Sequence, residues 1–199
     1  MNSNTQFDPK PVTIISNPII VGMFHEIYIS GEILGPEYYI EEYNIIRNAQ
    51  DCDVIKFILN THGGRVDSAL QFIRVMSESN AHLIASIEGH CMSAGTMIFL
   101  AADEFEIAPN SSIMIHNYSG GTQGKGHEMH TQIMFEHAWS KEFLRSTYEE
   151  FLTPQEIEAL LLGSDLWLTS TQVAERCTKL LKFRQEMMEL IQEDEQANL

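Results

Sequence analysis

The feature that most constrains the fold is a unit that recurs between residues 26 and 102. It consists of a short β-rich run, a turn bearing glycine or asparagine, and a stretch with helical periodicity. Glu26 to Ser30 is the first such run, stopped by Gly31. Pro36 to Gln50 then reads as a helix with proline at its start and Tyr39, Ile40, Tyr43, Ile45 and Ile46 as apolar positions. Val54 to Leu59 is an apolar strand, Asn60 to Gly64 its turn, and Val66 to Ser79 a helix with Ala69, Leu70, Phe72, Ile73 and Val75 available to a core. The unit returns as the strand His82 to Ile87, the turn Glu88 to Met92 and the short apolar helix Ala94 to Ala102. Strand–turn–helix units in succession imply a layered α/β fold with parallel strands.

Phe105-Glu106-Ile107 and Ile113-Met114-Ile115 read as two further strands around the turn Pro109-Asn110-Ser111. Beyond His116 the character changes. Asn117 to Gly126 carries Gly120, Gly121, Gly124 and Gly126 and reads as a flexible or edge-strand segment, followed by a long helix from His127 to Phe151. Thr153-Pro154-Gln155-Glu156 opens another helix, threonine capping it and proline taking the first helical position. Gln172 to Gln192 is helical again. The expected organisation is a loose arm over residues 1–17, a β-rich Ile19-Ile20-Val21, one domain over 18–192, and a disordered acidic tail from Glu193 to Leu199.

Composition removes several classes of function. With 28 acidic against 12 basic residues the formal charge is −16, which repels phosphate backbones and argues against nucleic-acid binding. Three cysteines, Cys52, Cys91 and Cys177, support neither a disulfide framework nor a zinc site. The first residues lack the pattern of a secretion signal, and no apolar run approaches the ~18 residues of a membrane span. A cytoplasmic protein without membrane association is the expectation.

The chemistry concentrates in Gly89-His90-Cys91-Met92-Ser93-Ala94-Gly95-Thr96. A serine between small residues at a strand-to-helix turn sets its hydroxyl at a helix N-terminus, where backbone N–H groups can stabilise an oxyanion. Serine is also an ordinary helix cap, so the segment alone leaves both readings open. Gly63-Gly64 ends another strand of the same kind. His116 closes a third, and ligands of α/β sheets bind outside strand carboxyl ends. A histidine there can accept the serine proton and return it to a leaving amine.

Gly89 to Gly95 resembles the nucleophile segment of the ClpP family, the proteolytic subunits of the caseinolytic (Clp) protease. Pro109 to His116 is similar to its histidine segment, Gly120 to Gly124 to the glycine-rich strand after that histidine, and Asp165-Leu166-Trp167-Leu168-Thr169 to its aspartate segment. The resemblance runs from about residue 25 to 177 and keeps the order Ser, His, Asp. It implies a spiral of strand-strand-helix units with a protruding handle helix over about 117–151. It further implies a catalytic triad of Ser93, His116 and Asp165, with an oxyanion hole from the N–H groups of Gly64 and Ala94. Arg65, Val66, Asp67, Ser119, Gly120, Gly121 and Thr122 would bind the substrate as an added strand. No cofactor and no metal is implied. The implied partners are unfolded polypeptide substrates, further copies forming stacked rings, and an AAA+ unfoldase.

The sequence departs from the family pattern at His62, where proline is usual, at Ala94, where methionine is usual, and at Tyr118, where a proline is expected. Such departures leave room for a capsid-maturation protease without an unfoldase, or an inactive structural or regulatory ring subunit. A crotonase-type acyl-CoA enzyme would share the α/β spiral but would not need the three residues in this order. His127, His130 and His137 fall on one helix face, yet His127-Glu128-Met129-His130 lacks the spacing of a zinc protease. Cys91 reads as a small buried residue rather than a second nucleophile.

Overall fold

A computed structural model of the chain describes residues 12–18 and 22–197. Residues 1–11 of the expected arm, the run Ile19-Ile20-Val21 and residues 198–199 lie outside the described residues. By its internal contacts the chain divides into two compact units, Met1–Ser111 and Ser112–Leu199.

The first unit is α/β with a mixed sheet. Strand β1 (Val12–Pro18) pairs antiparallel with β2 (Met23–Ile33), and β3 (Val54–Gly64), β4 (His82–Met92) and β5 (Glu104–Ile107) add parallel neighbours in turn. Residues 12–17 are therefore strand and not loose arm: β-branched Val12, Thr13, Ile14 and Ile15 suit a pleated ladder along the free edge of β2. The helices are α1 (Ile40–Asn48), entered through the 3-10 turn Pro36–Tyr38, then α2 (Val66–Ser77) and α3 (Ala94–Leu100).

Alternate positions of the parallel strands supply the core. Ile27 and Ile29, then Ile55, Phe57 and Leu59, then Leu83, Ala85 and Ile87 are all buried. Opposite them the Phe72 ring lies 5.2 Å from Tyr39, 4.8 Å from Tyr43 and 6.3 Å from Phe57, measured between centroids. Both tyrosines keep a partner for their polar tips. The Tyr39 hydroxyl accepts from the Leu34 amide at 2.8 Å, and the Tyr43 hydroxyl donates to the Ser68 carbonyl at 3.2 Å. Asp53, at the foot of β3, accepts from the amides of Gln50 and Met23 at 2.8 and 2.7 Å. Those bonds hold its carboxyl below the usual range.

The strands outrun the sequence expectation at their carboxyl ends. Asn60 to Gly64 and Glu88 to Met92, expected as turns, continue β3 and β4 beyond a break in register. Gly31 pairs Thr61 but Glu32 pairs Gly63, leaving His62 as an extra residue; Leu59 pairs Ile87 but Thr61 pairs Cys91. Such bulges bend a strand and re-aim its last residues. Side chains bridge the break: the Thr61 hydroxyl donates to Gly31 O at 2.5 Å and accepts from the Gly63 amide at 3.0 Å, and Asn60 Oδ1 accepts from the His90 amide at 3.1 Å.

The second unit pairs β6 (Ser112–Ile115) antiparallel with β7 (Leu166–Thr169) and carries α4 (Gly126–Tyr148), α5 (Pro154–Leu161) and α6 (Ser170–Ala197). Residues 193–197, expected as a disordered tail, continue α6, consistent with the helix propensity of their Glu, Gln and Ala. Ile113, Ile115, Leu144, Tyr148, Ile157, Leu160, Leu168, Val173 and Leu180 form the buried core. On α4 only Ser140, Leu144 and Tyr148 are buried, so the helix is anchored through its second half. Among the described residues no helix is long and apolar enough to cross a membrane.

One polar cluster joins the helices of this unit. Thr153 and Glu156 form a capping box at the start of α5. The same Glu156 takes a bidentate pair from Arg176 of α6, at 2.9 and 2.6 Å, and Arg176 also reaches the Phe151 carbonyl at 3.3 Å. The guanidinium pulls the Glu156 carboxyl down to about 2, below its ordinary 4.5. A depressed carboxylate contributes stability above its unfolded pKa and loses it as pH falls through the folded one. Glu156→Gln is therefore expected to cost about 1–3 kcal/mol at neutral pH. In urea unfolding, the difference from wild type shrinks as pH is lowered from 4.5 toward 2.

Candidate active site

In the first unit the site is built where β4 turns into α3. Ser93 is the N-cap of α3 with φ 52° and ψ −125°, a conformation that residues with a Cβ rarely adopt. Its carbonyl is fixed by the Thr96 amide at 2.9 Å and the Thr96 hydroxyl at 2.7 Å. The Ser93 side chain is half-buried, while Ala94 to Leu100 behind it are buried throughout. The turn is rigid because the helix it starts is entirely core.

The end of β3 runs directly against this turn. A Cβ on Gly63 would stand 2.7 Å from both Met92 O and Ser93 Cβ, and 3.1 Å from the Ala94 nitrogen. Gly63 also has φ 88°, so geometry and space both demand glycine. Gly64 sits next, in register with Ile33, whose carbonyl accepts from the Arg65 amide at 2.8 Å. Gly64, Ser93 and Ala94 thus belong to one corner of the first unit. Thr61, Asn60 and Gly89 support it. A Cβ on Gly89 would meet Asn60 Oδ1 at 2.4 Å, and one on Gly95 would meet Thr61 Cγ2 at 2.5 Å. Sequence reading missed these supports; the signal was the threonine and asparagine next to Gly63-Gly64.

In the second unit β6 and β7 carry the other two candidates at their ends: Ile115 pairs Leu166, with His116 the residue after β6 and Asp165 the residue before β7. His116 is half-buried and Asp165 exposed. The sequence reading had no strand at Leu166–Thr169, the element that Asp165 directly precedes.

The candidate substrate residues are less uniform. Arg65 caps α2 and pairs with Asp67 through Nε at 2.9 Å and through Nη2, both side chains exposed. Val66 and Asp67 are the first residues of α2, so extended backbone stops at Arg65 and not at residue 67. Ser119, Gly120, Gly121 and Thr122 lie in largely exposed chain with no regular strand; the Thr122 hydroxyl donates to Gln132 Oε1 at 2.5 Å. Cys91 is fully buried and its thiol is pushed up by burial, which leaves it a packing residue.

The sequence pattern of the family described as Clp protease matches residues 38–177, a stretch that contains Ser93, His116 and Asp165. The chain belongs to the Clp protease family. It is similar to ATP-dependent Clp protease proteolytic subunit 1 of Salinibacter ruber, with 27% identity over 125 residues. That alignment covers 61% of this chain and 53% of the relative, so the chain spans about half the length of the curated relative it matches. The α/β strand–helix units of the first unit agree with membership of the Clp protease family.

The strain at Ser93 makes a prediction about stability. Ser93→Gly should fold to a protein more stable by about 1 kcal/mol, because glycine enters this backbone region without a Cβ penalty. Gly63→Ala should lose about 2 kcal/mol or more, through the clash and the positive φ. Denaturant midpoints of the two variants against wild type measure both.

Proposed function

We propose that the chain is a serine endopeptidase using Ser93, His116 and Asp165. The observation that carries this reading is Ser93 held in a strained turn at the start of a buried helix, with the end of β3 pressed against it. An ordinary cap has no need of that backbone, whereas a nucleophile presented clear of its own helix does. The β6–β7 register supports the companion assignment, because its last pair, Ile115 with Leu166, immediately adjoins His116 and Asp165 in sequence.

In the proposed reaction His116 takes the Ser93 proton as Oγ attacks the peptide carbonyl. The N–H groups of Gly64 and Ala94 donate to the oxygen on which charge develops. Collapse breaks the C–N bond, and the imidazolium returns the proton to the leaving amine. Water then repeats the sequence on the acyl-enzyme ester, His116 deprotonating it, and frees the acid and Ser93. Asp165 holds the imidazole tautomer and stabilises its charged form. Every proton stays within these groups, so no cofactor enters.

The substrates proposed are unfolded polypeptides, bound by backbone pairing along Gly64–Arg65 and the run Ser119–Thr122. Family membership supports assembly of copies into stacked rings, with the two units acting as one peptidase domain and residues 117–151 as its handle. It likewise supports an AAA+ unfoldase partner and a cytoplasmic setting. Confinement in a chamber would keep an enzyme of broad backbone recognition from folded proteins.

Fluorophosphonate labelling read by mass spectrometry tests the chemistry. Wild type is expected to carry the adduct on Ser93, and Ser93→Ala to carry none. Asp165→Asn should label more slowly by about 10³–10⁴-fold, the scale on which a lost tautomer slows such triads. An assembled wild-type protein that takes no label would overturn the peptidase reading in favour of a structural ring subunit.

A further inference from the structure

The matched family segment ends at residue 177, yet α6 continues to Ala197. The first part of α6 is anchored by Val173, Cys177 and Leu180, all buried. Beyond them Phe183, Met187, Met188, Leu190 and Ile191 are exposed, Met188 at 57% and Ile191 at 54%. At ~100° per residue these side chains, with Leu181, fill about half of the helix circumference. Lys182, Gln185, Glu186, Glu189, Gln192 and Glu193 occupy the other half. Arg184 falls inside the apolar arc, and its guanidinium turns back toward Glu150 of the same unit, Nε to Oε2 at 3.5 Å. Leu180, Phe183, Met187 and Leu190 follow the alternating three-and-four spacing of a coiled-coil seam.

Charge along this extension is strictly divided. Thr178 to Gln185 contains Lys179, Lys182 and Arg184 and no acid; Glu186 to Leu199 contains five acids and no base. Two such helices side by side in parallel would set basic half against basic half and acidic half against acidic half. Antiparallel, each basic half meets the acidic half of the other. The flank positions agree: Lys179, Glu186 and Glu193 recur every seven residues along one edge of the seam, the positions whose charges select orientation in helix pairs. An antiparallel match about Glu186 and Met187 sets Phe183 against Leu190 and Lys179 of each helix level with Asp194 of the other, one residue from Glu193.

We infer that residues 178–197 form a self-association element, through which a second copy of this chain packs its own α6 antiparallel on the exposed apolar face. The contact is isologous, the same surface serving both copies. It uses residues beyond the matched family segment and stands apart from the proposed peptidase chemistry.

Light scattering on the full chain tests this. Met187→Asp with Leu190→Asp should lower the native mass, about twofold where the α6 contact alone joins two assemblies, while circular dichroism keeps its helix signal. A wild-type chain that is monomeric, or a double variant of unchanged mass, overturns the inference; the face would then serve some other partner. Charge pairing across the contact is read with two variants. Lys179→Glu with Lys182→Glu, and Glu189→Lys with Glu193→Lys, should each alone show the lower mass and should recover the wild-type mass when mixed in equal amounts. If either variant assembles fully by itself, or the mixture does not recover, the antiparallel pairing is wrong.

Discussion

The structure turns on a close approach of backbone to backbone. The end of β3 passes the β4–α3 turn so tightly that no side chain fits at Gly63, and the turn can adopt its unusual form only because that neighbour supports it. Close approach packs the Gly63 backbone against Met92 O, Ser93 Cβ and the Ala94 nitrogen, and the Thr61 and Thr96 hydroxyls hold the backbone on either side. The bulge at His62 and the hydrogen bonds of Thr61 and Asn60 exist in the same place for the same reason. The register shifts there, and the two side chains bridge the break between neighbouring strands.

What the sequence made legible was the part governed by hydrophobic period. The strand starts at Val54 and His82 and the helices of the first unit follow from apolar spacing, and the structure keeps them within a few residues. Strand ends were not legible, because Asn60-Thr61-His62-Gly63-Gly64 has the composition of a turn. Side-chain hydrogen bonds there substitute for the apolar pattern that marks a strand. β1 was missed for another reason: it is an edge strand whose ladder, rather than its burial, defines it. β7 is four residues long and half exposed, too short for any period to declare itself.

The candidate site shows the same division. Ser93 was legible from its small neighbours at a strand-to-helix turn, and that is where α3 begins. The strain at Ser93 was not legible, since a φ of 52° is imposed by tertiary packing and leaves no mark on residue choice. Asp165 stood out in the sequence only by likeness to a family segment; the structure adds that it directly precedes β7, whose first residue, Leu166, pairs Ile115. The stretch 65–67 went the other way. The resemblance implied substrate pairing there as an added strand, but Val66 and Asp67 open α2 as the helical spacing expected, with the Asp67 carboxylate in the first turn where the helix dipole favours it.

A side chain kept in an unfavourable backbone state has consequences for substitution as well as for geometry. Of the substitutions open to that turn, only glycine escapes the penalty the backbone places on a Cβ. Packing, in contrast, defends Gly63, Gly89 and the apolar face of α3 against change. Position 93 thus carries a Cβ against the preference of its own backbone, while packing holds the corner around it.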